Sequence, residues 1–231
     1  MLWCMQLVLR KTLCLISVSV FLSGCAQQTL PGDYGDFVQF ADSVESNAQP
    51  DPSQIATVTL AQADGSLVKI SDLTGDKNLL LVVSRGLVGS LPNAVGETED
   101  KPNSGGKSFC IFCSTQTSRL VANYAKFQQR NTEVVVVFPV ARSSDAAELQ
   151  YFSAKVQGKG KTSDDFPFPV LLDVELTAVD ALGIRDDLSK PATYIFDSQG
   201  QLRFGYVGQS ISDRPSVQAL LDQLDRINQP L

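Results

Sequence analysis

The stretch Lys107–Phe127, KSFCIFCSTQTSRLVANYAKF, sets Cys110 and Cys113 three positions apart, immediately before a segment of helical periodicity. Leu120, Val121, Tyr124 and Phe127 fall on one face at 3.6-residue spacing, which predicts a helix over 113–130 with the cysteines at its N-terminal end. A Cys-x-x-Cys pair in that place serves redox exchange, metal binding or cross-linking. The rest of the chain has to decide among them.

Metal binding fits poorly. A structural zinc site takes four ligands, usually Cys or His, and the pair supplies two. The chain of 231 residues has no histidine, and its other cysteines, Cys4, Cys14 and Cys25, lie near the N-terminus. Two carboxylates would have to complete the set, so neither a metal nor a cofactor is expected. The lack of histidine also excludes Ser-His-Asp and Cys-His hydrolytic chemistry. Cross-linking alone is a weak use, because so short a ring removes little entropy from the unfolded chain.

Redox exchange has a physical basis. Unpaired N–H groups and the macrodipole at a helix N-terminus favour negative charge, and the thiolate is the attacking form of cysteine. Cys110 is therefore expected to be the nucleophile. Cys113, one turn further on and less exposed, is expected to resolve the mixed disulfide.

Outward from this helix the pattern alternates. Ala56–Leu60 and Leu67–Ile70, separated by Asp64-Gly65, read as a hairpin. Leu79–Val83, Val134–Phe138 and Pro169–Asp173 are apolar runs with the look of buried parallel strands. Ser143-Ser144-Asp145 caps a helix running to about Val156, and a short helix over Glu175–Leu182 ends at Gly183. Ala192–Phe196 and Leu202–Val207 flank the turn Asp197-Ser-Gln-Gly200 as an antiparallel pair. Ser212–Ile227 closes as an amphipathic helix, with Val217, Leu220, Leu221, Leu224 and Ile227 on one face. The expectation is an α/β domain: a central mixed sheet flanked by helices, with an N-terminal strand extension and an insertion over 86–108 before the Cys-x-x-Cys helix. A loop of that length is a candidate flap beside the cysteines.

The N-terminus reads differently. Arg10 and Lys11 precede an apolar run, Leu13–Leu22, that is too short to span a bilayer comfortably. Leu22-Ser23-Gly24-Cys25 resembles the lipobox of bacterial lipoproteins, which implies cleavage before Cys25 and lipidation of that residue. The expected organisation is a signal peptide over 1–24, a lipid-anchored tether over 25–54 with a short amphipathic helix around Phe37–Val44, and a folded domain over 55–231. The chain would then be exported, facing the periplasm or the cell exterior on a membrane. The charge of −6 and pI of about 4.7 argue against nucleic acid as a partner. Loss of Arg10 and Lys11 from the 19 basic residues leaves 17 against 25 acidic ones, or −8, so the membrane would be held by lipid rather than by basic residues.

Cys110-Ile-Phe-Cys113 at a helix head, followed in order by EVVVVFP (133–139), FPVLLD (168–173), ALGI (181–184) and KPATYIFDSQGQLRFGYVG (190–208), resembles the thioredoxin fold. More narrowly, it resembles the redoxin, or alkyl hydroperoxide reductase/thiol-specific antioxidant (AhpC/TSA), branch. That resemblance implies a cis-proline at Pro191, packed against the active-site sulfurs and presenting backbone to an extended substrate. It leaves two activities. One is a thiol-disulfide oxidoreductase acting on protein thiols or disulfides, served by an unidentified redox donor; the other is a peroxiredoxin-like peroxidase using the same cysteines. Against the second, the Pro-x-x-x-Thr/Ser-x-x-Cys motif is incomplete: Cys110 stands three before Cys113, and Lys107 three before Cys110. Pro191 also stands where peroxiredoxins carry an arginine. Arg85, at the end of the Leu79–Ser84 run, is the candidate supporting cation, and Arg119 reads as a surface residue. A third reading is a non-catalytic binding lipoprotein with a structural disulfide.

Overall fold

The computed structural model describes residues 29–86 and 110–229. The expected signal peptide, Cys25 and the insertion beyond Gly86 lie outside the described residues. Seven strands form one sheet in the order β2-β1-β5-β4-β3-β6-β7. These are β1 (Thr59–Ala61), β2 (Leu67–Lys69), β3 (Asn78–Val83), β4 (Thr132–Val140), β5 (Val170–Val174), β6 (Ala192–Phe196) and β7 (Leu202–Val207). The central strands β3, β4 and β5 run parallel, whereas β6 is antiparallel to β3 and β7 to β6.

Alternation along the apolar runs divides the core in two. Leu80, Val82, Val134, Val136 and Phe138 face one side of the sheet, where α3 (Ile111–Gln128), α4 (Glu148–Gln157) and α6 (Val217–Ile227) pack. Leu79, Leu81, Val83, Val135 and Val137 face the other, beside α1 (Pro52–Thr57), α2 (Ser71–Thr74) and α5 (Thr177–Ala181). Every residue of β3 is buried, as a strand covered on both faces requires. Between β5 and α5, the buried Asp173 carboxylate accepts from Ala178 N–H (2.8 Å), Val179 N–H (2.9 Å) and the Thr177 hydroxyl (3.0 Å), capping the helix from the preceding strand. No helix among the described residues is long and apolar enough to cross a membrane.

The segment expected as a tether is packed onto the domain over residues 29–54. The short helix anticipated at Phe37–Val44 is a single 3₁₀ turn, Gly35–Phe37, after which the chain runs extended and Ala41 bridges to Pro215. Its anchors are side chains whose partners are distant in sequence, so local composition did not reveal them. Arg119 pairs with Asp33 (3.2 Å), donates to the carbonyls of Gly35 and Val38 (both 2.9 Å), and sits over the ring of Phe40. It is thus a clasp rather than a surface residue. Further along, Asn47 and Ala48 donate their backbone N–H groups to Gly205 O, and Asn47 Nδ2 donates to Val207 O, beside β7. The strap covers part of the polar first turns of α3: Tyr34 N–H donates to Thr115 Oγ1 (3.3 Å), the Thr115 hydroxyl donates to Gly32 O (3.4 Å), and Gly32 lies against Ser114 and Ser118.

Candidate active site

Cys110 caps α3. Its backbone is extended, its Sγ accepts from Cys113 N–H (3.2 Å), and helical geometry begins at Ile111. Cys113 therefore lies in the first turn, buried at 2 % exposure, while Cys110 keeps partial access to solvent. Both are free thiols, with Sγ atoms 2.6 Å apart.

The decisive neighbour is Arg214, which sequence reasoning missed. It is 1 % exposed, and its Nη2 lies 3.2 Å from Cys113 Sγ and 4.0 Å from Cys110 Sγ. Nη1 donates to Gln116 Oε1 (2.5 Å) and Nε to Ile211 O (3.1 Å). The remaining amide nitrogen of Gln116 has no hydrogen-bond partner among the described residues. No carboxylate is among these partners of Arg214. The neighbouring Asp213 is committed elsewhere, accepting from the Tyr206 hydroxyl (2.6 Å) and Gln209 N–H (2.8 Å). A buried guanidinium with only neutral acceptors is costly unless an anion compensates it, and the anion within reach is a thiolate.

Burial opposes ionisation of Cys113, but it is outweighed. The Cys110 thiol donating to its sulfur, the charge of Arg214 and the backbone N–H of Arg85 together bring the Cys113 pKa down to about 6. Cys110 moves the other way: its hydrogen bond to Cys113, its own burial and repulsion from the Cys113 thiolate push its pKa well up. These directions place the lower pKa of the pair on Cys113. The sequence pointed to Cys110 as the attacking thiolate, on the helix-terminus argument alone. Arg214, approaching from the far end of the chain, stands nearer to Cys113 (3.2 Å) than to Cys110 (4.0 Å) and favours the thiolate there.

The other expected site residues fall as follows. Arg85 directs its guanidinium away from the sulfurs, to Asp186 (3.3 Å) and Ser189 O (3.3 Å), so it acts on Cys113 through its backbone N–H and not through its charge. Pro191 stands one residue beyond the Val83–Ala192 pairing, next to the end of β3. No peptide bond among the described residues is cis, so the expected cis-proline is corrected to a trans one. Pro191 O accepts from Gly208 N–H (2.8 Å), continuing the β6–β7 pairing at the start of the strand. Arg214 escaped notice because Ser212–Ile227 read as one helix. The helix begins only at Val217 behind its Ser216 cap, leaving Arg214 in the extended approach to it. An arginine directly before Pro-Ser at a helix head was the only available signal.

A paired thiol and thiolate at the head of a sheet-packed helix, with a buried cation against the thiolate, define a redox-active thioredoxin-fold protein. The family model described as AhpC/TSA matches residues 103–204, from ahead of the cysteines into β7, and marks the chain as an oxidoreductase. No curated protein matches the sequence. Among solved structures, peroxidoxin BcpB from Mycobacterium tuberculosis aligns with a TM-score of 0.50 at 15% identity, over 80% of this chain and 100% of its own. Peroxiredoxin Q from Xanthomonas campestris gives 0.51 at 13%, over 80% and 98%. Reduced Prx3 from Vibrio vulnificus, in complex with hydrogen peroxide, gives 0.51 at 13%, over 81% and 99%. At these identities the likeness is one of fold.

Proposed function

We propose that this chain is a thiol peroxidase in which Cys113 attacks the peroxide and Cys110 resolves the product. The observation that carries this reading is the pairing of a 2 %-exposed Cys113 with Arg214 3.2 Å away, a cation with no carboxylate partner among the described residues. A thiolate so enclosed is accessible to a substrate of a few atoms and not to the disulfide of a folded protein. The Cys113 thiolate attacks one peroxide oxygen, the O–O bond breaks, and the departing alkoxide or hydroxide takes up a proton as alcohol or water. The sulfenic acid left on Cys113 meets the Cys110 sulfur 2.6 Å away; a disulfide forms and water leaves. A dithiol donor then returns two electrons and two protons. Arg214 stabilises the thiolate before attack and remains beside the oxygen being transferred.

A second reading, thiol-disulfide exchange started by Cys110, is favoured by the partial exposure of that sulfur. Stopped-flow oxidation of the reduced full chain by hydrogen peroxide, beside its reaction with a small disulfide, separates the two. Fast peroxide consumption with slow disulfide reaction is expected. The reverse ranking transfers the function to disulfide exchange, and slowness toward both leaves a binding protein with a structural cysteine pair. We further propose that residues 1–24 direct export and that Cys25 carries lipid, on the strength of Leu22-Ser-Gly-Cys25. Cys25→Ser should then shift the protein from the membrane fraction to the soluble one; unchanged fractionation removes the anchor.

A further inference from the structure

The strap reaches the thiol site through its backbone. Ala41 N–H donates to Arg214 O (3.0 Å), and Ala41 O accepts from Ser216 N–H (2.8 Å), a parallel bridge that straddles Pro215. Two bonds on either side of the Arg214–Ser216 peptide units fix the direction in which the Arg214 side chain leaves the backbone. The guanidinium depends on that direction, since its sulfur contact is a single 3.2 Å approach by Nη2.

From this juxtaposition we propose that Ala41 is a positioning residue for the thiolate: the N-terminal strap holds Arg214 against Cys113 and is a working part of the site. The proposal rests on the reading of Cys113 as the reacting sulfur. The groups acting on Cys113 are few among the described residues: Cys110 from its own helix, Arg214 from the approach to α6, and the Arg85 backbone from the end of β3. The strap's own charge nearest this helix, Asp33, is spent on Arg119. A loosened strap therefore acts on Cys113 through the placement of Arg214, with no other cation among the described residues acting on that sulfur.

The test is a pH titration of thiolate absorbance in the reduced full chain, taken as the difference from Cys113→Ser. Ala41→Pro deletes the N–H donor, and the midpoint should rise from about 6 by at least one unit. A one-unit rise also lowers the rate of peroxide oxidation at pH 6 about five-fold, the ratio of the thiolate fractions. Ala41→Ser keeps both backbone groups and should hold the midpoint at about 6. Because Ala41→Pro risks misfolding, the double variant Asp33→Asn/Arg119→Gln provides a second route. It opens the clasp without changing net charge, and its midpoint should also rise. A midpoint that stays put in either folded variant, with only the melting temperature lowered, overturns the proposal and leaves the strap as scaffold. Slow peroxide reaction of the wild-type chain with a low titration midpoint would sink the peroxidase reading and leave the strap's role standing.

Discussion

Replacing Arg214 by methionine removes the cation while keeping most of its volume, and the structure sets the size of the effect. The Cys113 pKa of about 6 lies three units below the ordinary thiol value of 9.0, equivalent to about 4 kcal/mol. Coulomb attraction across 3.2 Å at an effective dielectric constant near 20 gives about 5 kcal/mol, a large share of what must offset burial, beside the hydrogen bond with Cys110 and the Arg85 N–H. Without the guanidinium, the Cys110 hydrogen bond and the Arg85 N–H are left alone against burial, and the midpoint should rise toward the ordinary thiol value. For a full return to 9.0 the thiolate fraction at pH 7 drops from about nine-tenths to about one-hundredth, so the second-order rate of peroxide oxidation falls by up to roughly ninety-fold. The assay is stopped-flow intrinsic fluorescence or peroxide consumption between pH 5 and 10. The variant's deficit should narrow as pH rises toward 10. A rate at pH 7 within three-fold of wild type, or a midpoint that remains below 7, would refute the argument that Arg214 is the counter-ion.

Three further outcomes follow from the same geometry. Because the folded pKa of Cys113 is depressed, its contribution to stability is present above the unfolded thiol pKa and is lost as pH falls through about 6. Urea unfolding of the reduced protein should therefore show stability rising between pH 6 and 9, by on the order of 4 kcal/mol at most. At higher pH the trend should reverse, since the raised pKa of Cys110 favours the unfolded chain there; a flat profile contradicts the shared-charge picture. Cys110→Ser should keep the first oxidation step and halt at a sulfenic acid trappable with dimedone, whereas Cys113→Ser should abolish the step; the opposite pattern reverses the assigned roles. Asp173→Ala leaves the buried N–H groups of Ala178 and Val179 unpaired and should cost about 2–3 kcal/mol in denaturant unfolding with the Cys113 titration unchanged.

Much of the fold was legible because it is written in local patterns. The apolar run Leu79–Val83 of β3 and the valine run of β4 announced strands covered on both faces, and Asp197–Gly200 announced the β6–β7 turn. What escaped was long-range and polar. Arg119 and Asp33 are 86 residues apart, and each alone looks like a solvated charge. Arg214 and Cys113 are 101 apart, and no periodicity connects an extended pre-helical residue to a sulfur across the fold. The burial of the polar residues Ser114–Ser118 likewise depends on partners far along the chain, Gly32 and Tyr34 on one side and Arg214 on another. The proline at 191 was read through the family resemblance, and its carbonyl is instead engaged by Gly208 in a regular ladder.

The strap also settles the fate of the sheet's borders. Gly205 lacks a side chain where one would stand 2.2 Å from Ala48 O, so residues 47 and 48 lie directly against β7 and occupy hydrogen-bonding groups that a border strand ordinarily offers to strangers. At the opposite border β2 is only three residues long and ends in Lys69, too short and too charged to template another strand. Neighbouring molecules crowded together consequently find no continuous ribbon to zip onto, and the protein resists cross-chain β aggregation by its architecture.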